Sequence, residues 1–253
     1  MATATPAPAR PSGTIEPMTV PGRVDAASLL LSLDPPPWFM RHARAVAEVA
    51  GWLAARIDAR GMRIDRRLVE SAALLHDADK ALPDDDPARA LPHGDGSAAW
   101  LTRSGHPELA RAVAGHPVTR LLDGERYRRW AAFASREERI VAYADKRAGQ
   151  RLESMDARFA SWQRRYPRLD ADGRNVGWDA AELRAVRARA DRLEADVCRA
   201  AGIAPDQVRR LAWTGAALDA AQAAATARPT GSGRTTATAA RVVAISRAGT
   251  ATR

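Results

Sequence analysis

The chain has 253 residues, 46% hydrophobic and 27% charged, the balance of a folded globular protein and not of a fibrous or wholly disordered one. No run approaches the roughly 18 apolar residues a membrane helix needs, which excludes an integral helical membrane protein. A net charge of +9 points towards nucleic acid, but five unbalanced arginines in residues 227–253 leave only +4 on the remainder.

One cysteine, Cys198, cannot form an internal disulfide. The chain also opens without a basic start followed by an apolar stretch, so a cytoplasmic protein is expected. Only Lys80 and Lys146 are lysines, and every other basic residue is arginine. The two lysines therefore stand out.

Residues 1–23, rich in Pro, Ala and Thr, read as a disordered leader. A strong helix is predicted after Pro35-Pro36-Pro37, with Phe39, Val46, Val49, Leu53 and Ile57 on one face and His42 beside them. Gly61 marks its end. Asp65 is the expected N-cap of a second helix, which carries Leu68, Ala72 and Leu75 and runs into His76-Asp77. A loop with three successive aspartates, 84–86, leads to His93-Gly94 and then to a short helix with Trp100 and Leu101. Pro107 opens another helix, which leads to His116. Ser135 and Glu138 fit the capping box of a long helix that carries Ile140, Val141 and Asp145. Asp179 and Glu182 fit a second capping box. That helix should end at Gly202, and a last one should begin at Pro205.

The predicted fold class is all-α. Residues 24–160 should form one helical bundle, with 161–178 a linker, 179–226 a helical appendage and 227–253 a disordered basic tail. No strand pattern and no fixed-period repeat is visible.

The chain has five histidines, at 42, 76, 93, 106 and 116. Four of them fall at the end or on the inner face of separate predicted helices. Asp77 adjoins one, and Asp145 lies on the inner face of another helix. Imidazole and carboxylate suit Zn, Fe and Mn, and helices of a bundle can bring such ligands to one point. Six ligands exceed the needs of one tetrahedral ion and suit two ions sharing a carboxylate. His106, before Pro107, reads as an exposed loop residue. Asp79 reads as a supporting or surface group.

His42, His76-Asp77 and Asp145 in a helical chain resemble the HD metal-dependent phosphohydrolases. The run Ala72-Ala73-Leu74-Leu75-His76-Asp77-Ala78-Asp79-Lys80 and the run Ile140-Val141-Ala142-Tyr143-Ala144-Asp145-Lys146 carry the likeness, over about residues 38–156. His93 and His116 match the extra histidines of the di-metal branch. Within it, His93-Gly94 with Ser97-Ala98, and Arg151 six residues past Asp145, are similar to bacterial symmetrical diadenosine-tetraphosphate hydrolases. Two positions depart from that branch: Phe39 stands where an arginine is usual, and Lys146-Arg147-Ala148-Gly149 replaces an acidic residue and proline.

The resemblance implies an HD-type bundle and two divalent ions, Fe, Mn or another transition metal. His42, His76, Asp77 and Asp145 would hold one ion, and His93, His116 and Asp77 the other. Hydroxide bridging the ions would attack phosphorus. Lys80 would neutralise phosphate charge beside Asp77, and Arg147 and Arg151 would bind a distal phosphate. Arg120, Arg126, Arg128 and Arg129 would form a mobile rim around a loop after His116. The expected partner is a small nucleotide, with a dinucleoside tetraphosphate the sharpest version. A nucleoside mono- or triphosphate or a guanosine alarmone is the alternative on the same site. A non-catalytic nucleotide- or RNA-binding protein is the alternative outside catalysis, with nucleic acid held only through the basic tail. The sequence sets no oligomeric state.

Overall fold

A computed structural model of the chain describes residues 20–165 and 178–227. The expected leader up to residue 19, the linker over 166–177 and the basic tail from 228 lie outside the described residues. Ten α-helices and no strand occur among the described residues, as the all-α expectation required.

Helix α1 (Arg23–Leu31) precedes the strong helix expected after the prolines, α2 (Pro37–Asp58). Pro37 sits at the first position of α2, where its missing N–H costs nothing. The helix buries Phe39, Ala43, Val46, Ala50, Leu53 and Ile57. Each large side chain among them contributes roughly 1.5–3 kcal/mol on leaving water. The alanines let neighbouring helices approach closely.

Helix α3 (Arg66–Leu75) and α7 (Arg136–Arg147) pack against α2 and against each other. The Asp65 carboxylate accepts from the Leu68 N–H at 2.9 Å and caps α3. Ser135 and Glu138 form the reciprocal capping box of α7. These two caps fix where the helices start, and so fix that His76-Asp77 end one and Asp145 lies on the inner side of the other.

Helices α4 (Asp95–Arg103) and α5 (Ala110–Ala114) cover one end of this three-helix centre. Gly94 precedes α4 with φ of +85°, a left-handed conformation that favours glycine. Helix α6 (Gly124–Phe133) carries Arg126, Arg128 and Arg129, so the expected loop rim is helical there. Asp123 caps it by accepting from the N–H groups of Glu125 and Arg126.

Helix α8 (Met155–Arg165) runs past residue 160, where the bundle was expected to stop. Its Met155, Phe159 and Trp162 are buried at i, i+4 and i+7 spacing. Helix α9 (Ala180–Ala201) starts at the Asp179/Glu182 box and ends at Gly202, which is left-handed at φ of +64°.

The last helix does not begin at Pro205. Pro205–Gln207 makes one 3-10 turn, and α10 spans Thr214–Ala227. Between them the chain bonds sideways to α2. The Leu211 N–H donates to the Glu48 carbonyl at 2.9 Å, and the Trp213 indole N–H donates to the Ala47 carbonyl at 3.2 Å. Those bonds compete with a helix, and they win. Helix α10 then packs on α1.

Candidate metal centre

The ends of α3 and α5, the inner face of α2, the loop before α4 and the last turn of α7 meet at one point. His42, His76, Asp77, His93, His116 and Asp145 all arrive there. His76, Asp77, His116 and Asp145 are buried, while His42 and His93 are half-buried.

Each of the four histidines has its Nδ1 against an oxygen. For His42 it is the Gly149 carbonyl at 2.7 Å, and for His76 the Ala73 carbonyl at 2.8 Å. For His116 it is the Val113 carbonyl at 2.5 Å, and for His93 an Asp79 carboxylate oxygen at 2.9 Å. A carbonyl only accepts, so Nδ1 carries a proton and Nε2 is the nitrogen left to face an ion. All four Nε2 atoms point inward.

The resulting crowd of acceptors is tight. His42 Nε2 lies 3.1 Å from His76 Nε2, and His93 Nε2 lies 3.2 Å from His116 Nε2. Asp77 Oδ1 is 3.1 Å from His93 Nε2 and 3.2 Å from His116 Nε2, while its Oδ2 is 3.3 Å from His42 Nε2. Asp145 Oδ1 is 3.4 Å from His42 Nε2 and 3.8 Å from His76 Nε2. Lone pairs at such distances repel unless positive charge lies between them. The nitrogen and carboxylate donors therefore fit a transition metal. Ligand atoms of His42, His76 and Asp145, of His76, Asp77 and His116, and of Asp77, Asp79 and His93 each lie within 4.8 Å of one another. Asp77 stands between the His42–His76 and His93–His116 pairs, with Oδ1 facing the second pair and Oδ2 facing His42.

The electrostatics divide the four histidines into two kinds. Burial opposes a charged His42, yet the Asp145 and Asp77 carboxylates outweigh it and hold its pKa up at about 9. His93 is likewise opposed by burial and held at about 9 by Asp77 and Asp79. Burial drives His76 down to about 3 and lowers His116. Burial would raise Asp77 and Asp145, but the surrounding imidazoles, with Lys80 beside Asp77, hold both well below the carboxylate range. The carboxylates stay ionised and His76 and His116 stay neutral, whereas His42 and His93 hold a proton that a metal would have to displace.

Asp79, weighed in the sequence as a supporting or surface group, is buried and supports. Besides His93 it accepts from the Gly94 N–H at 2.9 Å, and its own N–H donates to Ser97 Oγ. Gly96 leaves it room: a Cβ there would lie 2.9 Å from Asp79 Cβ and overlap the Ala88 carbonyl oxygen. Arg120 does not belong to a mobile rim. Its guanidinium pairs with Asp95 at 2.7 Å and donates to the His93 carbonyl at 3.1 Å.

Lys80 Nζ donates to Asp77 Oδ2 at 2.8 Å and faces a cavity of about 730 Å³. His42, Asp77, His93 and Asp145 form one side of that cavity, and Trp38, Arg41, Arg151, Arg158 and Trp162 form others. Arg151 is thus on the wall of the cavity.

Arg147 is not. Its guanidinium is buried and turned towards α9, donating to the Tyr143 hydroxyl at 2.6 Å, the Glu194 carboxylate at 3.1 Å and the Pro205 carbonyl at 2.9 Å. Those partners turn it away from the cavity, so in this structure Arg147 ties α7 to α9 in place of the expected substrate contact. His106 stands apart from the cluster beside Glu108, half-buried and not exposed.

Sequence reasoning passed over Arg41, Arg158 and Trp38. Arg158 lies over the Trp162 ring at 4.8 Å and donates to the Asp145 carbonyl at 3.3 Å. The apolar spacing of Met155, Phe159 and Trp162 was the signal that could have placed it, because it defines α8.

The family model of the HD domain matches residues 39–149, under half of the chain but including all six converging residues. Proteins with this domain are in general metal-dependent phosphohydrolases, and the segment is similar to them over that stretch. No curated protein and no solved structure matches the chain.

Proposed function

We propose that the chain hydrolyses a phosphoester or phosphoanhydride of a small nucleotide, with a dinucleoside tetraphosphate as its sharpest substrate. The observation that carries this reading is the convergence of four imidazole Nε2 atoms and two carboxylates at the side of a cation-lined cavity. His42, His76, Asp77 and Asp145 would hold one divalent ion, and His93, His116 and Asp77 a second. Such ions supply an acidified water and neutralise charge on oxygen.

The chain's own residues do the rest. Asp79, and the carbonyls of Ala73, Val113 and Gly149, hold the imidazoles in one tautomer. Lys80, fastened to Asp77, offers positive charge to a phosphate oxygen close to the cluster. Arg151, on the cavity wall, suits a more distant phosphate through two parallel hydrogen bonds.

The test is a chromatographic product assay of the Mn- or Fe-loaded chain on diadenosine tetraphosphate. Two ADP are expected, from symmetrical attack. AMP with ATP would contradict that cleavage. No turnover by protein with bound metal would move the substrate to mononucleotides or guanosine alarmones.

A further inference from the structure

Trp38 has no role in the machinery described so far. It is the second residue of α2, and nearly half of its surface is open, at 46% exposure. The other tryptophans of the bundle, Trp52, Trp100 and Trp130, lean on the core, and Trp162 is buried. Trp38 lines the mouth of the cavity together with Arg41 and His42, three and four residues further along the same helix.

Its mounting is the start of the helix. Pro37 fixes the first turn of α2, and the adjacent Phe39 is fully buried and meets the indole edge-on at 5.8 Å. A large apolar ring left open to water at a pocket mouth contributes little to folding. It is well placed to cover the flat face of a ligand. Around it, Arg41, Lys80 and Arg151 come from three separate segments and give the same cavity positive charge. An aromatic face beside several cations fits a ligand that joins an aromatic heterocycle to a phosphate chain.

We propose that Trp38 stacks on the base of a nucleotide whose phosphates reach the metal cluster, and so determines specificity for nucleotides over phosphate chains without a base. This inference rests on the phosphohydrolase reading above. Stacking is sequence-tolerant, because every base has a π-face, so Trp38 selects for a base and not for one base among four.

The experiment compares the full-length wild-type chain with Trp38→Ala and Trp38→Phe. Each is assayed with Mn on diadenosine tetraphosphate and on inorganic tripolyphosphate, and each is titrated calorimetrically with a non-hydrolysable adenine nucleotide. Trp38→Ala should raise KM for the nucleotide and Kd for the analogue about tenfold, or ~1.4 kcal/mol. The change on tripolyphosphate should be much smaller, and Trp38→Phe should recover most of the loss. Equal losses on both compounds, or no change in Kd, would overturn the role of Trp38. If the wild type turns over neither compound, the dinucleoside tetraphosphate fails as the substrate, and the calorimetric comparison still decides on Trp38 by itself.

Discussion

A proton on Nδ1, given to a fixed oxygen, is what aims each of the four clustered histidines. Three of those oxygens are backbone carbonyls and cannot be removed by substitution. The fourth is Asp79, 2.9 Å from His93 Nδ1. Asp79→Ala should therefore free the His93 ring and weaken metal binding about 10- to 100-fold. Calorimetric titration with Mn measures it, and an unchanged affinity would show that Asp79 does not orient the ring. At this scale the convergence of His42, His76, Asp77, His93, His116 and Asp145 was legible in the sequence. Histidine and aspartate in a helical context carry their chemistry with them, and His76-Asp77 at a helix end needs only the local Asp65 cap to place it. Arg147 was not legible. Its burial is decided by Glu194 and Pro205, 47 and 58 residues away, and nothing near it in the chain announces them.

Helix α7 serves two neighbours at once. Its inner side turns Asp145 to the cluster, and Tyr143 and Arg147 bind α9 through Glu194. The Arg147–Glu194 pair is almost wholly shielded, with the two side chains 8% and 14% exposed. Removing one partner of a buried pair strands the other charge. Glu194→Ala should cost about 3 kcal/mol of unfolding free energy, at the low end of such losses because Tyr143 and Pro205 still accept from the guanidinium. Urea denaturation measures this, and a cost below ~1 kcal/mol would mean that the pair behaves as a solvated one. Helix starts with capping residues, at Asp65, Ser135 and Asp179, were legible because a cap is a local contact. The start at Pro205 was misread for the opposite reason: the segment after it satisfies its hydrogen bonds on α2.

Across the whole molecule, the C-terminal helices close on the bundle from outside the His/Asp cluster. Glu48 on α2 accepts from Arg210 and from the Thr214 hydroxyl, and Arg23 of α1 pairs with Glu70 while lying over the Trp213 ring. These contacts join α1, α2, α3 and α10, and none of them involves a residue of the cluster. The all-α class was legible from periodicity throughout, whereas the docking of α10 on α1 was not, because both helices are short of distinctive residues and meet only in three dimensions. The central claim is that the six converging residues form a metal site organised by Asp77. It is tested most directly by equilibrium dialysis of the full chain against Mn, with metal counted per chain. The wild type should retain about two ions, and Asp77→Ala, with its helical circular dichroism intact, should retain none. A wild-type chain that retains no metal, or a folded Asp77→Ala chain that retains as much as the wild type, would contradict the account.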